Sequence, residues 1–218
     1  MDYDAVVFDN DGVLVGRTRY DRLHEAAWDA FEAVGIEDPD PEHVESMVVG
    51  VTPEAVREVC ATYDLDSDEF WAARDRTAAA IQREEVREGR KRLYDDVSTL
   101  GDLEQSLGIV SSNQQATVDF VLEHFGVADL FEAAYGREPT VESLRRKKPE
   151  PHYIERALAA LEAETALFVG DNESDVRAAE NAGVDSAFVR RPHRVDHDLS
   201  VDPTYDIDSL TDLHGICR

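Results

Sequence analysis

The sequence predicts an α/β fold, a doubly wound parallel sheet with an all-α segment inserted after the first strand. Three observations predict it. Ala5-Val6-Val7-Phe8 is an apolar run that stops at Asp9-Asn10-Asp11-Gly12, as a strand buried on both faces does at its carboxyl end. No strand pattern interrupts residues 17–88. Beyond them, short apolar runs alternate with amphipathic stretches, the signature of a parallel sheet with crossover helices.

Taken in order, Val6-Val7-Phe8 forms the first strand and Gly12 lets the chain turn. Leu23, Ala27, Ala30, Phe31 and Val34 then recur at helical spacing, and Gly35 supplies a stop. Thr52-Pro53 suits an N-cap and first helical residue for a helix carrying Val56, Val59, Cys60 and Tyr63. Asp66, with Glu69 three residues on, opens another that bears Phe70, Ala73, Thr77 and Ile81. The charged stretch Arg83–Arg92, containing Gly89, is read as the return hinge. Strands follow at Leu107–Ser112, Leu130–Tyr135, Ala166–Gly170 and Ala187–Val189, with helices at Asn113–His124, His152–Leu161 and Glu173–Ala182. The division is thus a core of residues 1–16 and 90–218 and a helical insertion of residues 17–89.

At 218 residues the chain has room for one good core and a smaller satellite. No apolar stretch approaches the ~18–20 residues of a membrane span, and Met1-Asp2-Tyr3-Asp4 does not begin like a signal peptide. Cys60 and Cys217 have no framework-like spacing and read as reduced thiols in a cytoplasm, with a bridge between them left open. A formal net charge of −26 argues against nucleic acid and anionic membranes as partners. Only Lys91, Lys147 and Lys148 are lysine; the other basic side chains are arginine. An acidic, lysine-poor composition resembles that of cytoplasmic proteins from salt-accumulating halophiles.

Four segments carry candidate chemistry. Asp9 and Asp11, two apart, stand beyond the carboxyl end of the first strand, where open α/β sheets bind ligands. One of two such carboxylates can act as a nucleophile or metal ligand while the other handles protons. Ser111-Ser112-Asn113 ends a strand and opens a helix, which suits either an anion site or an ordinary cap. Arg145-Arg146-Lys147-Lys148 is either a solvated turn or, through a lysine, a phosphoryl-binding ammonium. Asp171 and Asp175 share a face at a helix start, where acids also suit the helix dipole. With Asp9 and Asp11 they would make an oxygen-rich site of the kind magnesium prefers.

These segments, in this order, resemble the four motifs of the haloacid dehalogenase superfamily of phosphatases and phosphotransferases. Phe8-Asp9-Asn10-Asp11-Gly12-Val13-Leu14 is similar to its first motif, Ser111 to its second, Lys148-Pro149-Glu150-Pro151 to its third, and Gly170-Asp171 through Asp175 to its fourth. The resemblance spans almost the whole chain. It implies a Rossmann-like core, a helical cap that closes over the site, and Mg2+-dependent phosphoryl transfer from a small phosphorylated metabolite. Asp9 would be the nucleophile and Asp11 the acid–base; Lys148 and Ser111 would hold the phosphoryl group, with Ser112 the register alternative and Asn113 a second contact. Metal binding would fall to Asp9, Asp11, Asp171 and Asp175, the last through water or from a second layer. Asp11 also speaks against the dehalogenase branch, which lacks an acid there.

His24-Glu25-Ala26-Ala27-Trp28 resembles the first cap helix of the β-phosphoglucomutase-like branch, with no catalytic role assigned to His24. Two departures matter. Val15-Gly16-Arg17-Thr18 stands where the family often has an acid and a hydroxyl, and Pro53 stands where the sugar-phosphate mutases carry a cap arginine. The resemblance therefore implies a phosphomonoester hydrolase, of phosphoglycolate or sugar-phosphate type, ahead of a phosphomutase. A receiver-like module that senses phosphate and magnesium without turnover is the rival of a different class; receivers lack the large helical insertion. Arg17 and Arg19 are read as a solvated helix start, within reach of a substrate's anionic tail. Oligomeric state is not legible.

Overall fold

The computed structural model describes residues 3–217. Among them the sheet has six strands in the order β3-β2-β1-β4-β5-β6. These are β1 (Ala5–Phe8), β2 (Ser106–Gln114), β3 (Ala133–Arg137), β4 (Ala166–Gly170), β5 (Asp185–Val189) and β6 (Tyr205–Ile207). β1 lies in the middle and pairs in parallel with β2 and β4, Phe8 standing level with Ile109 and Val169. Its four residues are buried, which explains the unbroken apolar run.

The chain divides into two compact units. The first takes the residues up to Gly16, Arg92–Gly136, and those from Arg146 onward. It holds the sheet with α5 (Gln115–Phe125), α6 (His152–Ala160), α7 (Glu173–Ala182) and the short C-terminal α8 (Leu213–Ile216). Its larger apolar cluster joins Val6, Phe8, Ile109, Leu167 and Val169 to Val118 and Leu210; a second packs Val7, Val110 and Phe168 against Tyr153, Ile154 and Ala178. The sheet is thereby covered on both faces, as a parallel sheet must be.

The second unit is helical: α1 (Tyr20–Ala33), α2 (Pro41–Ser46), α3 (Pro53–Thr62) and α4 (Ser67–Arg87). Thr52 and Asp66 cap α3 and α4 as their spacing predicts, accepting from the amides of Ala55 and of Asp68 and Glu69. Phe31, Phe70, Met47, Val56 and Trp71 form its core. α4 runs through the first part of the charged stretch read as a hinge. There Arg22 reaches Glu84 at 2.7 Å, and both Arg22 and Arg90 reach the buried Glu85.

This unit also takes Arg137–Arg145, which the strand–helix alternation assigns to the core. Arg137 makes a buried two-pronged ion pair with Asp75 at 2.7 and 2.9 Å and lies over the Trp71 ring. Val141 and Leu144 pack into the helical core, and the amide of Val141 donates to Asp68. No local pattern reveals such long-range partners.

Other differences are local. The helix read from Asn113 starts at Gln115, because β2 continues through Ser111-Ser112-Asn113. There Ser111 Oγ accepts from the amide of Asn113, and Asn113 Oδ1 from that of Gln114; these short bonds hold the chain extended. β3 lies two to three residues later than read, since Leu130 closes a 3-10 turn. α2, the 3-10 stretch Asp95–Asp102, β6 and α8 have no sequence forecast, being short or built on distant partners. Cys60 and Cys217 are both buried and free, so the bridge left open is not formed. No helix among the described residues is long and apolar enough to cross a membrane.

Candidate active site

The site is built where β1, β2 and β4 end side by side. The amide of Asp9 still donates to Val169 of β4 at 2.8 Å, which fixes the residue at the strand end. The side chains of Asp9, Lys148, Asp171 and Asp175 are all buried. Lys148 Nζ lies 2.7 Å from Asp9 Oδ1 and 2.7 Å from Asp175 Oδ1, and it donates to the carbonyl of Val110 at 3.3 Å. Of the two adjacent lysines, it is Lys148 that makes these contacts.

Asp175 has a second task. Its Oδ2 accepts from the amides of Asp171 and Asn172 at 3.1 and 3.0 Å, closing a capping box at the start of α7. The dipole-favoured cap and the site residue are thus one carboxylate. Gly170 makes this possible: a Cβ there would stand 2.2 Å from that of Asp175. Gly12 does the same for Asp171, whose Oδ2 would be only 2.5 Å from an added Cβ. Its φ of +92° is also one that a side chain disfavours.

Asp9, Asp171 and Asp175 each offer an oxygen within 4.8 Å of the others. The carboxylate of Asp11 lies outside this trio. Its Oδ2 accepts from the side-chain amides of Asn10 and Asn113 at 3.1 and 3.0 Å. Asn113 is therefore joined to Asp11 across the β1–β2 boundary. Strand alternation puts Ser111 on the face of Asn113 and turns Ser112 to the other. Arg19 is held by Asp21 at the exposed start of α1.

Burial pushes the Asp9 carboxyl up to about 8; Lys148 opposes the shift, while Asp175 and Asp171 add to it. Burial raises Asp175 as well, again against Lys148. Lys148 is itself raised, because Asp175 and Asp9 outweigh its burial. Lys148 therefore only partly offsets the burial of Asp9 and Asp175. A divalent cation that favours oxygen ligands would offset the rest, so the donor set fits such an ion.

His193 and Arg194 are absent from the sequence reading. His193 Nε2 lies 2.6 Å from Asp171 Oδ2, and Arg194 Nε 3.5 Å from the same oxygen. A signal was present: Arg190-Arg191-Pro192-His193-Arg194 packs three arginines and a histidine into five residues of a strongly acidic chain.

Residues 6–189 match the haloacid dehalogenase-like hydrolase family. A pyrophosphatase PpaX of Halalkalibacterium halodurans is 27% identical over 99% of this chain and 97% of its own length. A phosphoglycolate phosphatase of Rhodobacter capsulatus is 27% identical over 83% of this chain and 81% of its own. Among solved structures, CbbY from Rhodobacter sphaeroides in complex with phosphate superposes with a TM-score of 0.68 at 20% identity, covering 97% of this chain and 96% of that one. With the strand-end carboxylates, the buried lysine and the sheet order agreeing with a match over residues 6–189, the chain belongs to the haloacid dehalogenase-like hydrolases.

Proposed function

We propose that the chain is a Mg2+-dependent phosphatase that hydrolyses a small phosphorylated metabolite through an aspartyl-phosphate on Asp9. The observation that carries this reading is Lys148, buried between Asp9 and Asp175 with Asp171 beside them. A carboxylate at a strand end beside a fixed ammonium is arranged to attack an electrophile whose oxygens carry negative charge. Asp9 attacks phosphorus, the bond from phosphorus to the leaving oxygen breaks, and Asp11 gives that oxygen its proton. Asp11 then takes a proton from water as the water attacks phosphorus and frees Asp9. The amides of Asn10 and Asn113 hold Asp11 for both transfers. Lys148 and Ser111 bind phosphoryl oxygens. Asp9 and Asp171, with Asp175 from a second layer, would hold Mg2+, which would supply charge neutralisation when bound.

The test is phosphate release from an aryl phosphate, phosphoglycolate and inorganic pyrophosphate, with Mg2+ and with chelator. Turnover of at least one substrate that vanishes on chelation is expected; full activity in chelator would sink the proposal. The pyrophosphate arm is included because a PpaX matches nearly end to end. Hydrolysis is favoured over mutase action because Pro53, the first residue of α3, brings no cation where the mutases carry arginine. With β-glucose 1-phosphate and a bisphosphate primer, phosphate release or no reaction is expected. Glucose 6-phosphate accumulating faster than phosphate would reverse that preference.

A pH dependence follows for the metal-free protein. The Asp9 carboxyl moves from an ordinary 3.8 to about 8 on folding, so the fold favours its protonated form. Its stabilising contribution is complete below about pH 4 and is lost as pH rises through about 8. The thermal midpoint in chelator should therefore fall between pH 5 and 9 by more than that of Asp9→Asn, and added Mg2+ should reduce the gap. Parallel pH profiles for the two proteins would refute it.

We also infer that the chain works in the salt-rich cytoplasm of a halophile, from its net charge of −26 and its three lysines. Lys91 and Lys148 are buried and Lys147 is half-buried, so every exposed basic side chain among the described residues is arginine or histidine.

A further inference from the structure

We propose that Arg191–Arg194, the segment that follows β5, is a positioning strap that holds Asp171 and the turn behind Asp11 in the geometry that binds Mg2+. The inference rests on the reading of the site as a magnesium-dependent one. His193 and Arg194 act on Asp171, and Arg191 acts on the backbone against which Asp171 rests.

Asp171 is confined from two sides. On one, its carboxylate lies so close to Gly12 that no side chain fits there. On the other stands His193, 2.6 Å from Oδ2. In the tautomer that carries its proton on Nε2, His193 donates a hydrogen bond to this oxygen. Arg194 Nε, buried and without a hydrogen-bond partner, adds positive charge 3.5 Å from the same oxygen. The metal-facing direction of Asp171 is set between these limits. Hydrogen bonds of this kind to a ligating carboxylate orient it and tune its affinity.

The Gly12 wall is itself held by the strap. Arg191 Nε and Nη2 both donate to the carbonyl of Val13, the first at 3.2 Å. The same guanidinium pairs with Asp96 at 2.7 and 2.9 Å and lies over the Tyr94 ring. Asp96 in turn accepts from Ser209 and from the amide of Leu210. Arg191 thus ties the turn that follows Asp11 to the framework of the core.

Anchors on both sides make the strap a defined element. Arg190 pairs with Asp206 of β6 at 2.9 and 2.7 Å, and the amide of Ser200 donates to Glu173 in the first turn of α7 at 2.8 Å. The arginine-rich run otherwise has no role in the site chemistry described above.

The experiment is calorimetric titration of Mg2+ alone into metal-stripped protein in molar KCl, for wild type, His193→Ala and His193→Gln. His193 is partly exposed, so neither change should unfold the chain, and thermal midpoints in chelator check this. Loss of the donor should weaken Mg2+ binding by about tenfold or more. Glutamine, whose side-chain amide also donates, should recover most of that loss. At saturating Mg2+ the alanine variant should recover most of its kcat with little change in substrate KM. Alanine binding Mg2+ within about twofold of wild type, or more tightly, would overturn the proposal, and so would glutamine binding as weakly as alanine. If wild type itself bound no Mg2+, the function proposed above and this inference would fall together; normal wild-type binding with unmoved variants would sink the inference alone.

Discussion

Asp9→Asn is expected to lose at least about a thousandfold in turnover, ~4 kcal/mol of barrier, while the protein stays folded. Three consequences of the geometry add up here. The amide cannot attack phosphorus, so the covalent route closes. The neutral side chain removes one of the three carboxylates that gather at the proposed cation site. Lys148 keeps only Asp175 as its close ion-pair partner in the trio, which alters the charge facing a phosphoryl group. The fold should survive because asparagine matches the shape, and burial already disfavours the charged form of Asp9. Stability in chelator should hold or rise at alkaline pH, where wild type bears the cost of ionising a buried carboxyl. Initial rates on the best substrate, with circular dichroism of the same samples, decide the matter. Activity within about tenfold of wild type, only ~1.4 kcal/mol, would rule out Asp9 as the nucleophile.

Moving from 0.1 to 2 M KCl should raise the thermal midpoint markedly. At about 0.1 M salt the Debye length is ~10 Å, long enough for neighbouring surface carboxylates to repel; near 1 M it is ~3 Å. Folding concentrates a net charge of −26 that the unfolded chain spreads out, so screening favours the folded state. The exposed ion pairs, such as Arg57 with Glu54 and Arg177 with Glu173, weaken in salt, but pairs of this kind contribute only about 0–1 kcal/mol each. Net stabilisation of about 3 kcal/mol would move the midpoint of a chain this long by roughly 6–12 °C. The same field repels a phosphate-bearing substrate, so KM measured on folded protein should fall with salt. A midpoint that stays flat or declines would refute the halophile inference and leave the phosphatase proposal standing, because that rests on other residues.

Local pattern alone carries the parallel α/β core, the helical insertion and the acids beyond the strand ends, because these are written in short-range terms. A doubly buried strand must be apolar throughout, a helix must repeat its apolar face, and a parallel sheet leaves its strand ends as the place where polar side chains collect. Asp9 and Asp171, each directly beyond the carboxyl end of a strand, were legible for that reason, whereas Lys148 was separated from Lys147 only by the resemblance of Lys148-Pro149-Glu150-Pro151 to the family's third motif. What each carboxylate does there was not legible. Asp175 divides its oxygens between Lys148 and the cap of α7, while Asp11 is turned to Asn10 and Asn113. Ser111 and Ser112 were equivalent in sequence until β2 carried both past the expected helix start and alternation separated them. Arg137–Arg145 joined the helical unit through Asp75 and Asp68, far away in the chain. His193 met Asp171 only because β5 returns beside β4. Local periodicity fixes which element a residue joins, but a hydrogen bond between distant side chains depends on atomic positions that only the packed fold sets.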